Sequence, residues 1–180
     1  MTRTIRRFSS IALAAILLLA TAAAAQDSKS ALSVTELVKM LDSMKLDSFA
    51  VKGASPNEYV GALYFPGSQL LVVSAKFDTP WRADSLLEMK NYRDLYIELN
   101  SASVPQSKIF VSDLSANGLR SKKDGTVYDT ADIAGKTFNF DGDWKKAKIT
   151  ADDYTKTYST TDEQYTQMIQ ALLAGLKKSS

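Results

Sequence analysis

The chain has 180 residues, 45% of them apolar and 23% charged, with a formal net charge of +2. It contains no cysteine and no histidine. Those two gaps exclude disulfides, thiolate nucleophiles, Ser-His-Asp and Cys-His mechanisms, His-based zinc sites and His-ligated haem.

The N-terminus is a leader in pattern. Arg3, Arg6 and Arg7 form a basic segment, and residues 11–20 (IALAAILLLA) form an apolar one. Ala23-Ala24-Ala25 then offers a small-residue cleavage site. This order predicts a signal peptide over residues 1–25, and a location in a bacterial periplasm or outside the cell. The apolar run is about half the ~20 residues that a spanning helix needs. Arg6-Arg7 hints at twin-arginine export, although the residues after the pair fit that motif poorly. Cleavage after Ala25 leaves 155 residues of the 180 and removes three arginines and no acid, so +2 becomes −1. The mature chain then has no charge reason to bind nucleic acid or an acidic membrane. No later segment approaches a membrane span, and one domain over residues 26–180 is expected.

In chain order, residues 26–31 (QDSKSA) read as a frayed polar leader. Ser33 and Glu36 have the spacing of a capping box, with Leu32 and Leu37 as its staple. Leu37, Met40, Leu41 and Met44 then repeat at helical period. Residues 49–51 (FAV) form a short apolar run before a turn at Ser55-Pro56-Asn57. Residues 59–65 (YVGALYF) and 70–77 (LLVVSAKF) read as a hairpin across Pro66-Gly67-Ser68, which suits a type II turn. The unbroken run Leu70-Leu71-Val72-Val73 implies a strand buried on both faces. Thr79-Pro80 opens a predicted helix to about Lys90. Residues 92–100 (YRDLYIELN) fit strand period better than helix. Residues 101–107 are a loop around Pro105, 108–114 (KIFVSDL) a strand, and Asn117-Gly118 a turn. Residues 121–143 are irregular apart from a short strand at 137–140 (TFNF). A last helix starts at Thr150, with Asp152 and Asp153 at the positive end of its dipole. Its predicted apolar stripe is Tyr154, Tyr158, Tyr165, Met168, Ile169, Leu172 and Leu176. Thr161 and Gln164 have the spacing of a second capping box, which would interrupt the helix. The whole reads as a single α+β domain: a mostly antiparallel sheet or small barrel, packed by N- and C-terminal helices.

Without histidine, acid–base chemistry would fall to paired carboxylates. Glu98 and Glu58 are the candidates, with no partner acid legible. Asp141-Gly142-Asp143 offers two oxygens to a calcium ion but lacks the D-x-D-x-D-G spacing, and reads as an ordinary turn. No metal site is expected. Ser74 and Lys76, like Ser43 and Lys45, have S-x-K spacing, but no S-x-x-K occurs. No nucleotide-binding fingerprint is present. Of the eight tyrosines, three belong to the last helix stripe, where packing accounts for them.

The element order over residues 35–100 resembles the flavin-binding split barrels of the pyridoxamine-phosphate-oxidase type. It runs helix, strand, hairpin, short helix, strand. The resemblance implies FMN as cofactor, with its phosphate near Ser74 and Lys76 and with Lys90 or Arg93 in support. The strand at 59–65 lacks the basic residues such enzymes carry there, and residues after Asn117 have no counterpart. The leading expectation is therefore a non-enzymatic, exported binding or interaction module for a small molecule or protein. An FMN-binding split barrel is the first alternative and a small carboxylate-dependent hydrolase the second.

Overall fold

A computed structural model describes residues 28–52, 58–76, 107–133 and 135–179. These form helix α1 (Ser30–Met44), strands β1 (Ser48–Lys52), β2 (Glu58–Phe65), β3 (Gln69–Lys76), β4 (Ser107–Asp113), β5 (Asp129–Ile133) and β6 (Lys136–Phe140), and helix α2 (Ala151–Ser179). The strands make one antiparallel sheet in chain order, β1 to β6. Both helices lie on one face of it, so the α+β class holds. Among the described strands the sheet is an antiparallel meander, with β1 and β6 at its two ends. The expected helix at 79–90 and strand at 92–100, with Lys90, Arg93 and Glu98, lie outside the described residues.

Side-chain alternation positions the core. In β2 and β3, Val60, Ala62, Tyr64, Leu70 and Val72 point to the helices, as do Val111, Ala131 and Phe140 further along. They meet Val34, Leu37 and Leu41 of α1 and the long apolar stripe of α2. The other parity of β1 to β3 (Ala50, Tyr59, Leu63, Val73 and Ala75) is buried as well. These strands are thus covered on both faces, as the unbroken run at Leu70–Val73 predicts. The β2–β3 turn forms at Pro66-Gly67-Ser68. Gly67 takes φ +74°, and the Ser68 N–H donates to the Phe65 carbonyl at 3.0 Å.

α2 crosses the sheet from β6 to β1. Near its start, the Tyr154 and Tyr158 rings pack edge-on against Phe140, with centroids 6.2 and 5.6 Å away. Near its end, Gly175 lies so close to β1 that a Cβ there would overlap Val51. Thr150 caps it: its Oγ accepts the Asp153 N–H at 3.0 Å and donates to the Asp153 carboxylate at 2.7 Å. The whole predicted stripe is buried. No second cap forms at Thr161; its hydroxyl bonds back to the Thr157 carbonyl at 2.7 Å, and the helix runs on.

The start of α1 departs from expectation. The helix begins at Ser30, so Ser33 and Glu36 lie inside its first turns and make no capping box. Leu32 is 86% exposed and staples nothing. The buried stripe is Ser30, Val34, Leu37 and Leu41, while Met44 is exposed. Glu36 instead pairs with Lys177 of α2 at 2.8 Å across an exposed surface. Ser28 and Ser30, read as part of a polar leader, are buried. The cap comes from α2. The Asp162 carboxylate accepts the Lys29 N–H at 2.7 Å and the Ser30 N–H at 3.3 Å. It also accepts the Ser30 and Ser28 hydroxyls at 2.6 and 3.0 Å. A charge at the positive end of the α1 dipole is favourable there.

Candidate functional site

Among the described residues three carboxylates are buried: Asp113, Asp129 and Asp162, at 0, 3 and 4% exposure. Burial raises the pKa of Asp113, against four hydrogen bonds that lower it. Burial first, and then the Asp113 charge, push Asp129 up to about 7. The Tyr165 hydroxyl donates to Asp113 at 3.3 Å, and burial together with that neighbour holds its pKa well above the usual value. Two close acids of this kind are what a carboxylate mechanism would use.

Their remaining partners point to a different role. Asp113 accepts the N–H groups of Asn117 and Gly118 at 3.1 and 2.7 Å. Asp129 accepts those of Leu114 and Arg120 at 2.9 and 2.7 Å. The two acids staple the 114–120 loop from both ends. Ser30 Oγ takes the Leu119 N–H at 2.9 Å, and the Tyr158 hydroxyl donates to the Leu119 carbonyl at 2.9 Å. Gly118 adopts φ +97° with its Cα beside the backbone of Ala31, where a Cβ would sit 2.6 Å from the Ala31 Cα. The acids are thus enclosed by a loop whose donors they satisfy.

Among the described residues an accessible concavity lies elsewhere. A groove of about 620 Å³ runs between β6 and the segment from Asp141 to Thr157. Its apolar wall is Phe138, Phe140 and Ile149, and its polar rim is Lys136, Asp141, Asp143 and Lys146. The volume is that of a ligand pocket. The Asp141-Gly142-Asp143 turn is as expected. Asp141 accepts the Asp143 N–H at 2.9 Å, and both carboxylates lie 3.5 Å from the Lys146 ammonium. The Lys146 N–H and its charge lower the Asp143 pKa, while Asp141 and then Asp143 raise that of Lys146. Among the described residues no three His, Cys, Asp or Glu converge as metal ligands. The Tyr154 hydroxyl ties the groove together: it accepts the Gly142 N–H at 2.9 Å and donates to the Ser121 carbonyl at 3.1 Å.

Ser74 and Lys76 sit on the same side of β3, the first half-buried and the second exposed, and neither lines this groove. Glu58 is half-buried at the start of β2, in register with Lys76. Ser43 donates to the Met40 carbonyl and Lys45 ends α1 with φ +55°, both structural roles. Compared with known protein families, characterised proteins and solved structures, the chain has no match. The groove must be judged on its own geometry.

Proposed function

We propose that the mature chain is an exported, non-enzymatic binding module that holds its ligand in the groove between β6 and residues 141–157. The groove itself carries the reading. It combines an apolar wall with a polar rim, and both of its carboxylates, Asp141 and Asp143, are paired with Lys146. The deeper acids, which could have supplied chemistry, face backbone donors. The basic, apolar and small-residue order of residues 1–25 supports export.

Thr157 lines the groove and is half-buried, so Thr157→Trp fills it from the helix side without touching the main core. A screen of the mature protein by NMR should find ligands that shift the Phe138, Ile149 and Thr157 resonances. Those ligands should lose binding in Thr157→Trp. Ligands that bind that variant as well as the parent would place the site elsewhere and end this reading.

A further inference from the structure

Among the described strands β6 is an edge, and its sequence, KTFNF, carries none of the usual protection: no proline, and its single charge at one end. The alternation of its hydrogen bonds follows from its hairpin. Ile133 pairs with Lys136 across two residues, which makes them a hydrogen-bonded pair. Phe138 with Ala131 and Phe140 with Asp129 follow in the same phase. Thr137 and Asn139 therefore turn their N–H and C=O groups away from β5, toward solvent. Both residues are exposed, and both line the groove.

Positive charge flanks the groove: Lys136 is on its rim, while Lys145 and Lys148 belong to the adjoining turn and are exposed. Residues 136–148 hold Lys136, Lys145, Lys146 and Lys148 against Asp141 and Asp143, a local excess of two positive charges on a mature chain of −1. Both aspartates pair with Lys146 alone. Among the described residues Lys136, Lys145 and Lys148 form no ion pair.

Taking the groove as the ligand site, we infer that its occupant is an extended acidic peptide segment that joins the sheet edge as a strand beside β6. Thr137 and Asn139 supply the main-chain bonds. Alternate peptide side chains drop into the groove against Phe138, Phe140 and Ile149, while acidic residues at the ends of the segment meet Lys136, Lys145 and Lys148. Backbone bonding sets the extended form, the apolar wall selects every second residue, and the lysines select the sign of charge.

The test is selection from a random ten-residue peptide library displayed on phage, using the mature protein as bait. Enriched peptides should alternate apolar residues and carry Glu or Asp, and their affinity should fall with salt. Asn139→Pro removes an N–H that faces solvent, so the β5 ladder survives, and binding should weaken roughly tenfold. Asn139→Ala should bind within about twofold of the parent. The same peptides N-methylated at their bonding amides should lose binding, while methylation at the intervening amides should leave it. That arm stands even if the proline variant does not fold. Peptides that are blocked by Thr157→Trp but indifferent to Asn139→Pro and to methylation phase would overturn strand addition and leave the groove reading intact. No enrichment, or peptides indifferent to all three changes, would overturn both. Dimers of this chain abolished by Asn139→Pro, without acidic peptides, would assign the edge to a second copy and overturn the peptide.

Discussion

Replacing Asp162 by alanine tests where the first helix gets its cap. The carboxylate takes four donors: the Lys29 and Ser30 N–H groups and the Ser28 and Ser30 hydroxyls. Each serine hydroxyl has one proton, and the two oxygens lie 2.7 Å apart, so the hydroxyls can partly satisfy each other once the acid is gone. The two backbone N–H groups have no such recourse, and Ser30 is fully buried. A hydrogen bond to a charged group contributes about 1.5–3 kcal/mol. Two of them give roughly 3–6 kcal/mol, a large share of the ~5–15 kcal/mol of a typical domain. At about 2–4 °C per kcal/mol the melting temperature should fall by some 10 °C. Asp162→Asn keeps one accepting oxygen but turns an amide N–H₂ toward donors, so it should cost about half as much. Urea unfolding followed by circular dichroism, with unchanged m, is the assay. Ser33→Ala is the control. The sequence pattern alone assigns the cap to Ser33, with a cost of about 1 kcal/mol, whereas the structure expects less than about 0.5 kcal/mol there. Asp162→Ala within about 1 kcal/mol of the parent, or Ser33→Ala costing more than Asp162→Ala, would refute the assignment.

Gly118→Ala should cost at least about 3 kcal/mol, because it meets both a positive φ and the Ala31 backbone. Gly125→Ala, at φ +65° with open space around its Cβ, should cost only about 1 kcal/mol by the same urea assay. Similar costs at the two positions would show that the close approach to α1 is not tight. Acidification should stabilise the fold. Asp129 binds its proton near pH 7 when folded and near 3.8 when unfolded, so the native state holds more protons between those values. Stability should rise as pH falls from 8 to 5, by about 2–3 kcal/mol, and level off below about 4 at a total gain of about 4 kcal/mol. Asp113 shifts in the same direction. Asp129→Asn should flatten the profile; a parent protein that loses stability between pH 8 and 5 would contradict the buried acid pair. Mass spectrometry of the exported protein should find Gln26 at its N-terminus, and a retained residue 1–25 segment would contradict the leader.

What the sequence made legible were the contacts made by neighbours along the chain. The β2–β3 hairpin announced itself through a long apolar run and a Pro-Gly turn, and the α2 stripe through its 3.6-residue period. β5 did not, because Asp129-Thr130-Ala131-Asp132-Ile133 has no apolar run. Its place in the sheet rests on Ala131 filling the helix side and on Asp129 being satisfied by a loop. The α1 start was misplaced for a related reason. Ser33 and Glu36 have the right local spacing, but the stronger acceptor, Asp162, lies 132 residues after Ser30. Asp113 and Asp129 carried no signal separating them from exposed acids, beyond the position of Asp113 just ahead of the Asn117-Gly118 turn. The groove was equally hidden: TFNF was legible as a strand, yet nothing local says that its outer edge stays open beside Ile149 and Thr157.

The distribution of acids gives the fold its logic. A chain without cysteine has no disulfide to hold irregular segments against a sheet. Here Asp113 and Asp129 hold the 114–120 loop, and Asp162 holds the start of α1, where Gly118 and Leu119 of that same loop dock. Ser30 joins the two, since its hydroxyl donates to Asp162 and accepts from Leu119. Loosening one acid should therefore loosen the other's segment. Asp129→Asn and Asp162→Ala ought to combine to less than the sum of their separate costs, because either one undocks the loop from the helix. The groove loop is held differently, through the Tyr154 hydroxyl and Lys146, by bonds that do not include Asp162, which lies roughly two turns further along α2. Ligand affinity should survive Asp162→Ala as long as the chain stays folded. Parallel loss of affinity and stability would mean that the start of α2 and its middle respond as one body.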